Sequence, residues 1–488
     1  MPKWTDSRLD VLPVLRNWSA GTGPMYSRLA HAMRSAIERG ELPGGSRLPP
    51  ERPLAEALEV SRTTVVLAYQ RLRDEGLVES RQGSGSWVPR RTAAHATSRL
   101  DERDRTFLGD SLARAAAFEP EGTIGLMGAC LPGASVPLDE EWRAAEADVA
   151  EIASGAGYSP QGWPPLRRAI AADFERRGVP TAPDEILVTT GAQQAIDLVA
   201  RLLVARDAPV VLEDPTYLGA IDVFALAGAR LVPVPVGTTG VALCNAIEAA
   251  TPALVYLVPT YQNPTGTVLS ESDRRELAGF SEERGTPVVE DETLAELSFG
   301  VEPPPPIARF APRANVLSVG SMSKLYWGGL RVGWVRGPRP VIARLTRIKV
   351  VSDLSSAVLS QALAVRLLAR REEVVRARRL ESRRRYKKLA ELLRESLPDW
   401  SWTEPSGGLT VWARLPTPSA YELARLAPRH GVSIVPGPVH SPSQGHADRV
   451  RLPYVLDESL LAEGIARLAR AWESCRHPAA DRRLGVIV

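Results

Sequence analysis

Val316-Leu317-Ser318-Val319-Gly320-Ser321-Met322-Ser323-Lys324 is the stretch around which the rest of the chain reads most simply. Val316–Val319 has the apolar character of a short buried strand, and the polar run Ser321-Met322-Ser323-Lys324 follows it. The lysine is notable because this chain almost never uses one. Of 60 basic residues only five are Lys: Lys3, Lys324, Lys349, Lys387 and Lys388. Arg serves nearly wherever a positive charge suffices, but an amine can form a Schiff base and a guanidinium cannot. Taken alone, Ser-x-Ser-Lys is also simply a lysine in a polar loop, so the neighbouring sequence has to decide.

Five further apolar runs share the pattern. Residues 186–189, 210–213, 231–234, 254–258 and 287–291 each end in polar or Gly-containing turns, and helical stretches such as 193–203 and 270–283 separate several of them. This alternation predicts a mostly parallel α/β sheet. Such sheets bind ligands beyond the carboxyl ends of their strands. From about Leu363 a long Arg-rich helical stretch leads to a smaller α+β unit, with strands expected near 409–414, 433–435 and 449–452.

Four features stand at strand ends in chain order. Gly191-Ala192-Gln193-Gln194 opens a helix whose free N–H groups and dipole suit a phosphate. Ser321, Ser323 and Arg331 can ligate a phosphate as well. Tyr217, in Glu213-Asp214-Pro215-Thr216-Tyr217, offers a ring to stack on a flat cofactor. Asn263, in Gln262-Asn263-Pro264-Thr265-Gly266, offers an amide to a phenolic oxygen. Asp291 places a carboxylate where a protonated ring nitrogen needs a counter-charge, which makes the ring an electron sink. Each has an ordinary reading as helix cap, core aromatic, turn or solvated acid. Their joint occurrence in this order points to a site for an aldehyde cofactor on Lys324.

Residues 25–88 form a separate pattern. Leu29, Met33, Ala36 and Ile37 make a helical stripe, a short helix is expected from about 51 to 58, and Ser61 caps a helix from 62 to about 74. Gln82-Gly83-Ser84-Gly85 tips a short hairpin. Three helices and a hairpin describe a winged helix-turn-helix. Arg62, Thr63 and Thr64 then sit at a helix N-terminus, where base edges and phosphates are read. Arg52, Arg81 and Ser84–Ser86 suit backbone contacts. A small helical interaction module fits the same generic pattern.

Composition narrows the class. At 488 residues two or three domains are expected, and 44% apolar with 24% charged residues is the balance of a globular protein. No run of about 18 apolar residues indicates a membrane span, and Met1-Pro2-Lys3-Trp4-Thr5-Asp6 has no apolar signal core. Cys130, Cys244 and Cys475 lie far apart and follow no metal spacing, so free thiols in a reducing, cytoplasmic compartment and no metal site are expected. The net charge of +3 is uneven: residues 1–100 hold 15 basic and 10 acidic residues, the remainder 45 and 47. A basic N-terminal module suggests a polyanion partner.

In detail, Arg47-Leu48-Pro49-Pro50-Glu51-Arg52, Val60-Ser61-Arg62-Thr63-Thr64-Val65, Ala68-Tyr69 and Arg81-Gln82-Gly83-Ser84-Gly85 resemble the GntR-type winged-helix family over about residues 24–88. The resemblance implies that Arg52, Arg62, Thr63 and the Gly83–Gly85 wing contact DNA. The order of features around Lys324 resembles the fold-type I aminotransferases over about residues 121–475. That implies pyridoxal 5'-phosphate on Lys324, with Asp291 at the pyridine nitrogen, Asn263 at the ring hydroxyl and Tyr217 stacked on the ring. Ala192, Gln193, Ser321, Ser323 and Arg331 would hold the phosphate. Tyr158, in Tyr158-Ser159-Pro160-Gln161-Gly162, looks like the tyrosine that reaches the phosphate of the neighbouring subunit. Arg451, in Arg449-Val450-Arg451-Leu452-Pro453-Tyr454, looks like the arginine that clamps a substrate carboxylate. One departure lies just beyond the aspartate. Glu290-Asp291-Glu292-Thr293 lacks the family's tyrosine, which donates to the ring hydroxyl, and Thr293 is too short to replace it.

The combination resembles the MocR subgroup of GntR-type regulators. It implies a winged helix-turn-helix domain at 1–88 with its core at 24–88, a linker at 89–120, an aminotransferase-like domain at 121–475 and a tail at 476–488. The large subdomain is expected at about 121–362 and the small α+β subdomain at about 363–475. The function implied is that of a cytoplasmic, homodimeric transcriptional regulator. It would bind double-stranded operator DNA and sense a small amine or amino acid by aldimine exchange at Lys324. Two other readings stay open: a catalytically active aminotransferase with a DNA-binding arm, and a regulator that senses pyridoxal phosphate itself.

Overall fold

The structure, a computed structural model, describes residues 15, 18, 24–38, 42, 46–74, 77–81, 85–89, 122–312, 315–417 and 419–476. The chain divides into two compact units, Met1–Thr106 and Phe107–Val488.

In the first unit, α1 (Met25–Glu38), α2 (Glu51–Ala57) and α3 (Arg62–Asp74) pack around one small core. Leu29, Met33 and Ala36 of α1 meet Val65, Ala68, Tyr69 and Leu72 of α3, all fully buried. These positions recur every three or four residues, so one face of each helix is apolar. Tyr69 is buried at no polar cost because its hydroxyl donates to Pro49 O at 2.8 Å. Ser61 caps α3, its Oγ accepting from Thr64 N at 3.1 Å. β1 (Glu79–Arg81) and β2 (Gly85–Trp87) form an antiparallel hairpin with Arg81 opposite Gly85. Gly83 and Ser84 of the expected wing, residues 90–121 and residues 477–488 lie outside the described residues.

The second unit opens with β3 (Ile124–Leu126), α4 (Leu138–Ala153) and α5 (Pro164–Arg176). Strands and helices then alternate: β4 (Ile186–Thr189), α6 (Ala192–Leu203), β5 (Pro209–Asp214), α7 (Leu218–Leu226), β6 (Arg230–Pro235), α8 (Gly240–Ala250), β7 (Leu254–Leu257), α9 (Glu271–Arg284), β8 (Val288–Asp291) and β9 (Val316–Ser321). Local chemistry sets their ends. Ser270 caps α9 by accepting from Asp273 N at 3.2 Å, and Gly285 closes that helix with φ 67°. β10 (Gly333–Arg336) follows, and among the described residues the sheet has the order β4-β10-β9-β8-β7-β5-β6. Only β10 runs antiparallel within it. The sequence reading did not anticipate β10, because four residues containing Gly and Arg give little strand signal by themselves.

Three helices follow: α10 (Arg339–Asp353), α11 (Val358–Ala369) and the 26-residue α12 (Arg371–Ser396). The chain ends in β11 (Thr410–Arg414), α13 (Ala420–Leu426), β12 (Val432–Pro436), β13 (Arg449–Pro453) and α14 (Glu458–Arg476). A second sheet has the order β11-β13-β12-β3.

Residues after 362 contribute to two cores. Leu363, Ala364 and Leu367 of α11 belong to the core around Leu166 and Ile170, and Val374 of α12 joins them. Tyr386, Leu389 and Leu393, later in α12, belong to the core beneath the second sheet. A helix of this length spans about 39 Å at 1.5 Å per residue, enough to serve two cores. At the other end β3 pairs in parallel with β12, so residues 124–126 sit in the smaller sheet although they precede the large subdomain. Among the described residues no helix is long and apolar enough to cross a membrane, and no group of His, Cys, Asp and Glu is arranged to hold a metal ion.

Candidate functional site

A cavity of about 440 Å³ opens at the carboxyl ends of the parallel strands. Ala192, Gln193, Tyr217, Asn263, Asp291, Ser321, Ser323, Lys324, Arg331 and Arg451 all line it. These residues are scattered from 192 to 451 in the sequence, and the sheet topology brings them together. Tyr158 does not line it. That side chain is 70% exposed on the same unit.

One end of the cavity gathers groups that can hold an anion. Gly191 precedes α6 with φ 133°, a conformation other residues rarely adopt, and leaves the first N–H groups of the helix unobstructed. The guanidinium of Arg331 lies against this turn, so that a Cβ on Gly191 would sit 3.3 Å from Arg331 Nη2. Ser321, the last residue of β9, donates from Oγ to Ser323 Oγ at 3.1 Å. Two hydroxyls, a helix N-terminus and a guanidinium thus converge. Gln193 can contribute only its backbone N–H to such a cup. Its side chain is committed elsewhere, accepting from Tyr217 OH at 3.0 Å and donating to Gly219 O at 2.9 Å. That pair of bonds fixes the Tyr217 ring on the cavity wall.

The opposite wall is acidic and buried. Asp291 is 5% exposed, and burial raises its pKa. Its Oδ1 accepts from Thr293 N at 3.0 Å and its Oδ2 from Tyr256 OH at 2.8 Å. Both bonds favour the carboxylate and partly offset the burial. Asn263 Oδ1 is buried with no partner among the described residues, an unmet acceptor beside the cavity. Beyond Asp291 both Thr293 and Leu294 line the cavity, and Thr293 Oγ1 is buried without a geometrically sound hydrogen-bond partner among the described residues. Neither residue supplies a phenol to the cavity.

Lys324 Nζ donates to Ala129 O at 2.8 Å and contacts Cys130 Sγ at 3.1 Å. Ala129 and Cys130 belong to a strap, residues 127–132, that leaves β3 and lines the cavity through Met127, Gly128, Ala129 and Cys130. Arg451, on β13, is 5% exposed and donates from Nη2 to Met127 O on the same strap. Its Nε has no partner, and no carboxylate pairs with it among the described residues. Burial lowers its pKa to about 10, opposed in part by Tyr217 and Cys130. A buried guanidinium with unused donors is suited to an anionic ligand.

The sequence reading missed the strap, Cys130, Leu294 and Tyr256. The strap follows a three-residue strand and carries no local signature. Tyr256 had one available signal: a tyrosine inside an apolar run needs a partner for its hydroxyl when buried.

In the first unit, Arg62 is 66% exposed at the start of α3 and pairs with Glu51 at 3.2 Å. Thr63 and Arg52 are exposed beside it. Thr64 Oγ1 is 2.8 Å from Ser61 Oγ, so its side chain is engaged in the helix cap. On the hairpin, Arg47 lies over the Trp87 ring at 5.2 Å, and a Cβ on Gly85 would sit 3.3 Å from Arg47 Nε.

Residues 128–468 match the family Aminotransferase class I and II, and residues 25–88 match Bacterial regulatory proteins, gntR family. The chain is 31% identical to the probable rhizopine catabolism regulatory protein MocR of Rhizobium meliloti, covering 92% of this chain and 94% of that one. It is 38% identical to a 2-aminoadipate transaminase of Thermus thermophilus over 64% of this chain and 81% of that one. The crystal structure of LysN, an alpha-aminoadipate aminotransferase from Thermus thermophilus complexed with N-(5'-phosphopyridoxyl)-L-leucine, superposes with a TM-score of 0.67 at 32% identity, covering 78% of this chain and 100% of that one. The chain therefore belongs to the aminotransferase class I and II family and, through its N-terminal gntR-type module, to the MocR-type subgroup of GntR regulators.

Proposed function

We propose that this protein is a homodimeric transcriptional regulator that holds pyridoxal 5'-phosphate at Lys324 and responds to a small amine, most simply an amino acid. The observation that bears most weight is the composition of one cavity: a lysine amine, a buried carboxylate, an anion cup and a buried arginine with no carboxylate partner among the described residues. The unmet Asn263 Oδ1 and the cup at Gly191, Ser321, Ser323 and Arg331 fit a hydroxylated, phosphorylated ring. Bound there, the cofactor supplies an aldehyde that amines can capture and a ring that withdraws electrons. Asp291 offers the counter-charge for its ring nitrogen, Tyr217 a stacking face and Lys324 the amine that a ligand must displace. Arg451 orients a ligand by its carboxylate. Tyr158, exposed on one subunit, reaches the partner subunit's cup.

Arg62 and Thr63 read operator bases, while Arg52, Arg81 and the 83–85 wing hold the backbone. For a ligand to alter DNA binding it must prefer one of two arrangements of the dimer. The test is a titration with a panel of amines and amino acids, following cofactor absorbance and operator affinity on the same samples. A ligand that shifts the spectrum with no change in operator affinity would refute the sensor reading. A second reading is a working transaminase, favoured by the 38% identity to a 2-aminoadipate transaminase. Thr293 and Leu294, where a phenol would assist the ring hydroxyl, count against fast turnover. Sustained keto-acid production in the absence of DNA would favour that reading.

A further inference from the structure

Lys324 stands on a single helical turn. Tyr326 N and Trp327 N both donate to Met322 O, at 2.9 and 3.1 Å. The turn ends inside the protein, with Leu325 and Tyr326 at 3% and 2% exposure. Its last carbonyls therefore need donors that water cannot supply.

One side chain supplies them. Arg378 of α12 is fully buried, and its Nε donates to Leu325 O at 2.8 Å and its Nη2 to Tyr326 O at 2.6 Å. The same Nη2 donates to Pro132 O at 2.6 Å, at the end of the strap whose Ala129 and Cys130 touch Lys324 Nζ. Its Nη1 donates to Glu381 Oε2 at 2.7 Å. Glu381 in turn accepts from Arg385 Nη2 at 2.8 Å, and Arg385 Nη1 donates to Val455 O at 2.8 Å, two residues beyond β13. A continuous series of charge-assisted bonds runs from the base of Lys324 to the end of the strand that bears Arg451. Only a planar fork can meet three carbonyls and a carboxylate in these directions. An ammonium in the same place cannot.

We infer that Arg378 is a positioning residue: it fixes the turn and the strap on either side of Lys324, and so sets where the lysine amine meets an aldehyde. Glu381 and Arg385 keep that base in register with the Arg451 strand. The inference rests on the reading of Lys324 as the cofactor lysine.

Full-length Arg378→Lys and Glu381→Gln can be compared with wild type by three measurements. The first is the rate at which borohydride-fixable cofactor appears on Lys324, read by mass. The second is the affinity for pyridoxamine phosphate, which uses the same cup but has no aldehyde to bond the lysine. The third is thermal stability. Arg378→Lys is expected to slow adduct formation about tenfold or more, the scale of sub-ångström to ångström misplacement of a reacting group. Pyridoxamine phosphate affinity should stay at the wild-type value. Glu381→Gln should move the same way by a smaller factor, and it decides the matter by the same split if Arg378→Lys fails to fold. Adduct formation at the wild-type rate would overturn the proposal. So would equal loss of adduct and of pyridoxamine phosphate affinity, which is the mark of a purely structural role. A wild-type protein that forms no adduct on Lys324 would instead overturn the cofactor reading beneath it.

Discussion

Replacing Arg451 by Met should raise the stability of the ligand-free protein while weakening ligand binding on the order of a hundredfold. Arg451 is 5% exposed, has no carboxylate partner among the described residues, and is held at a pKa of about 10, well below the ordinary arginine range. That difference corresponds to roughly 3 kcal/mol of destabilised positive charge. Against it stands the bond to Met127 O, whose loss costs about 1 kcal/mol or somewhat more. The net expectation is a gain of about 1–2 kcal/mol, or about 2 °C in Tm for a unit of this size. The penalty is fully present below pH 10, so melts at pH 8 see all of it. A ligand carboxylate would lose two charge-assisted bonds, about 3 kcal/mol together, or on the order of a hundredfold in affinity. Thermal melts without ligand, and amino-acid titrations followed by cofactor absorbance, measure the two effects separately. A structural ion pair predicts the reverse: breaking one costs about 3–5 kcal/mol, with ligand affinity little changed. A drop of several degrees in Tm would therefore refute the carboxylate-clamp reasoning.

Four further outcomes are expected. Lys324→Ala and Lys324→Arg should each abolish borohydride-fixed cofactor while the fold persists, and mapping the adduct to Lys349 would contradict the assignment. Arg62→Ala should weaken operator binding by about 1–3 kcal/mol, and Arg52→Ala should lower the salt slope by about one for all sequences; the exposed Arg62–Glu51 pair contributes little to folding, so unchanged binding in both would speak against the docking. Tyr158→Phe should lower cofactor affinity in a dimer that still sediments as a dimer, and a cofactor-loaded wild-type monomer at micromolar concentration would exclude the shared site. Burial pushes Glu213 up to about 8, while its side chain accepts from Val258 N at 2.8 Å. The folded state thus keeps a proton that the unfolded chain has already lost, and stability from this group falls as pH rises between 4.5 and about 8. Glu213→Gln should gain on wild type across that window in melts at stepped pH, whereas parallel profiles would show that folding does not raise the pKa of this group.

The sequence by itself determined whatever depends on neighbours a few residues away. The cap at Ser61, the cap at Ser270 and the apolar stripes of α1 and α3 follow from the periodicity and turn chemistry of their own segments. Alternation of strand and helix implies a parallel sheet, and a parallel sheet already implies where its ligands bind. One of only five lysines in an arginine-rich chain, at the end of such a strand, was legible for the same reason. Tertiary structure decided what depends on partners far along the chain. The strap carbonyl at Ala129 meets Lys324 across 195 residues, and Pro132 meets Arg378 across 246. Tyr256 reads as core until Asp291 is seen to accept its hydrogen bond, and β3 reads as part of the large subdomain until it pairs with β12. Arg378 itself is one of many arginines on a charged helix in the sequence, and only burial distinguishes it. Short-range order is set by propensity and periodicity within each segment, but a hydrogen bond is satisfied only in space. Which donor meets which carbonyl was therefore settled by the way the sheets and helices close around the cavity.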